Sequence, residues 1–90
     1  MQTIHKHMLD WSADCITRLT LQPFARLIHV DRDTRSPDSI ALWFEVNNHL
    51  PADTVRTFHI VGTGHPVPSR TKHVGSVVMP PYVWHVFEES

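Results

Sequence analysis

A glycine-rich turn flanked by histidines, and an aromatic run further along, carry most of the chemistry this sequence offers. The segment Thr57-Phe58-His59-Ile60-Val61-Gly62-Thr63-Gly64-His65-Pro66-Val67-Pro68 runs from an extended stretch into a tight turn, and Tyr82-Val83-Trp84-His85-Val86-Phe87-Glu88 supplies the aromatics. In the turn, exposed backbone N–H groups, the Thr63 hydroxyl and the His65 imidazole can contact an anion. Arg70 and Lys72, just downstream, can add charge-assisted hydrogen bonds. Pro66 and Pro68 stiffen the loop and so reduce the entropy lost on binding. Trp84 and His85 can stack on a planar base or anchor a partner, as can Trp43 and Tyr82. The plainer alternative for the same residues is a glycine turn, a core Trp84 and a solvent-facing His85. The candidate ligand-binding set is Gly62, Thr63, Gly64, His65, Arg70, Trp84 and His85.

Known phosphate loops do not fit this turn. A Walker loop needs Gly-Lys-Ser/Thr leading into a helix, and a dinucleotide fingerprint needs a third glycine at a helix start. Catalytic patterns are equally lacking. Cys15 stands without a motif that would lower its pKa, and no Gly-x-Ser-x-Gly elbow occurs. Two-histidine phosphodiesterases use paired His-x-Ser/Thr strands; the corresponding tripeptides, His59-Ile60-Val61 and His73-Val74-Gly75, have no hydroxyl. No carboxylate pair is spaced for acid–base work. The expectation is a protein that is not an enzyme and uses no cofactor. His5 and His7 fall on one face of a strand and can share a metal ion only if further ligands join them; two exposed strand histidines are the simpler reading, and no metal site is assigned.

The elements that must position these residues read as strands. Period-two alternation of β-branched and aromatic residues recurs between Pro, Gly, Asn and Asp breakers. Thr3–Leu9, Cys15–Leu21, Phe24–Val30, Ile40–Val46, Val55–Val61, Thr71–Met79 and Tyr82–Phe87 are the predicted strands. Phe24, Ile28 and Val30 are expected on one face of the third, with Ala25, Leu27 and His29 on the other. In Ile40–Val46 the apolar face is Ile40, Leu42, Phe44 and Val46, leaving Trp43 on the opposite, contactable face. Trp11–Asp14 reads as a link with room for one helical turn, Asp31–Ser39 as a hairpin-type loop, and Asn47–Asp53 as a second polar loop. About seven short strands predict an all-β domain, a small antiparallel β-sandwich or partly closed barrel spanning residues 1–90. Ile40–Val46 or Tyr82–Phe87, placed at a sheet edge, would favour a homo-oligomer through sheet extension.

Bulk composition narrows the function classes. Ninety residues with 41% hydrophobic and 19% charged side chains suit one compact domain and exclude a disordered tail. A formal net charge of −1 provides no basic field for DNA, RNA or acidic lipid. A single cysteine excludes an intrachain disulfide, and no apolar run reaches membrane-spanning length. A cytoplasmic protein is expected.

Arg56-Thr57-Phe58, the Gly62-Thr63-Gly64-His65-Pro66 turn, Gly75-Ser76 and the Val83-Trp84-His85-Val86-Phe87-Glu88 strand together resemble a family of small bacteriophage and prophage proteins. Thr3-Ile4-His5-Lys6 and Ile28-His29-Val30 extend the likeness over nearly the whole chain, whereas 31–39 and 47–54 depart from it as longer loops. The resemblance implies a phage accessory gene and no particular mechanism. Two functions compete in that setting: sequestration of a nucleotide immune signal at the Gly62–Pro68 loop, or inhibition of a host defence protein in the manner of an anti-CRISPR. A minor structural role in the virion is a third. The small number of basic residues counts against a multiply charged nucleotide.

Overall fold

The computed structural model describes residues 1–11 and 14–90. Among these residues seven strands form: β1 Gln2–Met8, β2 Ile16–Leu21, β3 Arg26–Arg32, β4 Ile40–Asn47, β5 Thr54–Gly62, β6 Thr71–Met79 and β7 Tyr82–Glu89. The helical turn expected near Trp11–Asp14 falls on Ser12 and Ala13, outside the described residues.

All pairings are antiparallel and build two separate sheets, β1-β4-β3 and β2-β5-β7-β6. Of the two architectures expected, the β-sandwich is therefore the one formed. β4 alternates as its sequence predicts: Ile40, Leu42, Phe44 and Val46 are buried against Leu19, Leu21, Phe58, Ile60, Val77 and Val86 of the facing sheet. Phe44 and Phe58 meet edge to face across the interior at 6.0 Å, a favoured aromatic geometry. Trp43 lies on the outer face, as expected, with its ring 5.1 Å from that of His29. No helix among the described residues is long and apolar enough to cross a membrane.

Two β-bulges reset the side-chain alternation. In β3 the register shifts between Leu27, opposite Phe44, and His29, opposite Trp43, leaving Ile28 as the extra residue. Leu27 and Val30 consequently face the core with Ala25, while Ile28 is exposed and His29 turns outward. The expected grouping of Phe24, Ile28 and Val30 on one face is thus incorrect. Phe24 precedes the strand, with φ +64° and 96% exposure. In β6 the shift lies between His73, opposite Phe87, and Gly75, opposite Val86. Val74 becomes the extra residue, and Ser76 joins His73 on the outer face.

The sheet order also corrects the route expected for oligomerisation. β4 lies between β1 and β3, and β7 between β5 and β6, so neither Ile40–Val46 nor Tyr82–Phe87 has a free edge. The edges are β1, β3, β2 and β6, and two of these carry the bulges that discourage further strand addition.

Candidate ligand-binding site

The Gly62–Pro68 turn closes where β5 ends and β7 begins. The backbone pairing of Gly62 with Trp84 sets the turn beside the aromatic run. The His65 N–H donates to the Gly62 carbonyl at 3.0 Å, and Gly64 takes φ +89°, a conformation open to glycine at little cost. Gly62 has a different reason to be glycine. A Cβ there would lie 3.0 Å from His65 Nδ1 and 3.0 Å from Trp84 Cζ3. The missing side chain lets the imidazole and the indole close onto the same backbone atom.

The result is a cleft of about 350 Å³ lined by Gly62, Thr63, His65, Tyr82, Val83 and Trp84, with Pro81 at its margin. Trp84 is half-buried on the core side of β7, and Tyr82 is 61% exposed, its ring 5.7 Å from the indole. The lining contains no lysine, arginine or carboxylate. It suits an uncharged planar group that can lie against aromatic faces and take hydrogen bonds from His65 or Tyr82.

Of the seven candidate residues, Gly62, Thr63, His65 and Trp84 meet in this cleft, and Gly64 forms the turn behind it. Arg70 does not join them. It precedes β6, where its carbonyl accepts bonds from the N–H and hydroxyl of Ser90, each at 3.0 Å. The six-residue offset along β7 places it about 20 Å from Trp84 by strand rise. A loop cation on the phosphate side is therefore missing from the predicted site: sequence proximity did not survive the path of the chain.

His85 is also absent from the cleft, because neighbouring residues on a strand face opposite ways. It belongs to a hydrogen-bonded chain on the outer face of the β2-β5-β7-β6 sheet. His73 Nε2 lies 2.8 Å from Ser76 Oγ, which lies 2.8 Å from His85 Nδ1; His85 Nε2 lies 2.9 Å from Thr63 Oγ1. The Thr63 hydroxyl donates to the Val83 carbonyl at 3.2 Å, so it accepts from His85 Nε2–H. With neutral rings, His85 Nδ1 then accepts from Ser76, and Ser76 accepts from His73 Nε2–H, so that every proton has one acceptor. Both nitrogens of His85 are thereby engaged, and it fixes Thr63 rather than touching the cleft. Ser76 is the residue that the tripeptide comparison missed: the bulge puts a hydroxyl three positions after His73 where a regular strand would put it two after. His59, on the same face, bonds Glu89 at 2.5 Å.

A larger open groove of about 870 Å³ runs between the edges of β3 and β6. Its cations are largely committed. Arg56 bonds Glu88 through two nitrogens at 2.6 and 2.9 Å, and Arg26 bonds Glu45, leaving Lys72 as the lysine or arginine of the groove that is unpaired among the described residues. His5 and His7 do share a face, toward the core rather than solvent, opposite Phe44 and Leu42. Among the described residues no group of three His, Cys, Asp or Glu side chains could hold a metal ion.

These features define a small two-sheet β-sandwich with an aromatic cleft at the junction of β5 and β7. The chain belongs to the family described as Domain of unknown function (DUF7352), which matches it over residues 1–90. No curated protein and no solved structure matches it.

Proposed function

We propose that the protein is a non-enzymatic binding factor of bacteriophage origin, acting in the host cytoplasm, that sequesters a nucleotide-class signal by its base. The observation that supports this is the closure of His65 and Trp84 onto Gly62, which brings two planar rings to one cleft. Base–aromatic stacking is tolerant of sequence and needs no charge from the protein. The neutral lining modifies the expected binding mode: the base enters, and the phosphates stay in solvent. Binding without turnover fits a lining in which His65 and Tyr82 are the only titratable side chains. A phage setting follows from the resemblance in the turn and the terminal strand.

The test is a thermal-shift panel of mononucleotides, cyclic dinucleotides and ADP-ribose derivatives. Saturation at about one hundred times the dissociation constant adds roughly 2.7 kcal/mol, a shift on the order of 10 °C for a domain this small. The shift should vanish in His65→Ala, whose exposed side chain the fold does not need, and the ligand should be recovered unchanged. A shift that survives His65→Ala, or ligand recovered as a product, counts against the proposal.

A second reading, blockade of a host defence protein, is supported by a different observation. Tyr82 and Trp11 are 61% and 39% exposed beside the cleft, and both residue types are common interface anchors. Capture of a defence protein that Tyr82→Ala releases, with no nucleotide shift in the panel, would favour it.

A further inference from the structure

Adjoining the base cleft is a second hollow, of about 380 Å³, that shares Pro81, Tyr82 and Trp84 with it. Its remaining walls include Trp11, Met79 and Asp38. The rings of Trp11 and Trp84 meet at 72° with centroids 5.2 Å apart, and Tyr82 stands at 41° to Trp84. Three aromatic rings set at steep angles to one another line one hollow, and the face of each carries negative π density. Trp11 is held in place by donating its indole N–H to the Asp38 carbonyl at 3.0 Å. Asp38 is itself one of the lining residues, and its side chain is exposed and unpaired among the described residues.

We propose that this hollow is an aromatic cage for an organic cation, a methylated ammonium or guanidinium group. Aromatic faces attract a cation through the ring quadrupole, and they favour weakly hydrated cations because little hydration is lost on entry. Asp38 supplies a complementary full charge. The arrangement differs from the base cleft, whose lining has no anion, so the two hollows that share Trp84 select different ligand chemistries. Neither site requires the other to be occupied, and the cage stands whether or not the neighbouring cleft takes a base.

The experiment is a nuclear magnetic resonance titration that follows the indole N–H signals of the three tryptophans. Choline is the probe, and 3,3-dimethyl-1-butanol, its uncharged isostere, is the control. Choline should move Trp11 and Trp84 in a saturable way and leave Trp43 still. The alcohol should bind about 2- to 5-fold more weakly, the size expected of a cation–π contribution at a partly exposed site. Asp38→Asn and Trp11→Ala should each weaken choline about 2- to 5-fold, and neither residue belongs to the core. His65→Ala, which empties the base cleft of its imidazole, should leave choline unaffected. Equal affinity for the alcohol would overturn the proposal, because the hollow would then select only for apolar bulk. So would an absence of saturable shifts, or loss of choline binding in His65→Ala.

Discussion

His7 carries the only buried side-chain nitrogen left without a hydrogen-bond partner among the described residues, its Nε2. The ring packs edge-on to Phe44 at 5.8 Å. Burial first, and the neighbouring His5 second, hold its pKa below the usual histidine value. A folded-state pKa below the unfolded one means that the folded chain binds fewer protons. The His7 contribution to stability is therefore complete above about pH 6.5 and is lost as pH falls through the folded value. His7→Leu, which needs no partner, should show a shallower acid loss than the parent between about pH 6.5 and 5 in urea unfolding; parallel profiles would refute this origin. Asp33 behaves similarly at lower pH. The hydrogen bond from Lys6 leads in holding its carboxyl below the ordinary range, aided by the backbone N–H groups of Ser36 and Arg35. Alternation in the sequence was enough to put His5 and His7 on one face. That the face is the inner one depends on pairing with Leu42 and Phe44, a contact across 35 residues or more that no local pattern carries. Trp84 and His85 are the favourable case, because adjacency in a strand already separates them to opposite faces.

Among the elements, β4 and β6 mark the two extremes of legibility. β4 has strict alternation and a full apolar face, and its strand and its buried side both read directly from the sequence. β6 contains Gly75, His73 and Ser76, and only the bulge at Val74 determines which of them share a face. A bulge adds one residue without changing composition, so the hydroxyl of Ser76 could not be placed beside His73 beforehand. The same bulge brings the backbone of β6 against β3. A Cβ at Gly75 would lie 2.7 Å from Val30 Cβ, well inside van der Waals contact. Gly75→Ala should therefore cost roughly 1–3 kcal/mol through overpacking, measured by urea denaturation. A cost below about 0.5 kcal/mol, the usual size for a neutral surface change, would mean that the two edges are not held this closely. The Gly62–Pro68 turn was visible from its glycines and prolines. Its separation from Arg70 was not, since that follows from β6 starting at the far end of the hairpin.

Across the whole molecule, Arg56 links the two sheets. Its guanidinium bonds Glu88 through Nε and Nη2, donates to the Ala25 carbonyl at 2.6 Å, and lies 5.3 Å from the Phe44 ring and 5.9 Å from that of Phe58. Arg56→Met keeps the apolar stem but leaves Glu88 and the carbonyl unpaired. With about a fifth of each charged side chain exposed, the loss should be about 2 kcal/mol, less than for a fully buried pair. That corresponds to a fall in Tm on the order of 10 °C, read by circular dichroism; a change within about 2 °C would show the link to be dispensable. The all-β class was legible because seven alternating segments leave few other folds. The sheet order was not, and it reversed the idea that β4 or β7 offers an edge for self-association.

The central claim is that the cleft formed by His65 and Trp84 on Gly62 takes a base. Its most direct measurement is a backbone amide and indole titration by nuclear magnetic resonance with the nucleotide that gives the largest thermal shift. Gly62, Thr63, His65 and the Trp84 indole should move together and saturate with one dissociation constant, while Arg70 and Lys72 stay still. Shifts centred on Lys72, His73 and Arg26, in the groove between β3 and β6, or no saturable shift at all, would contradict it.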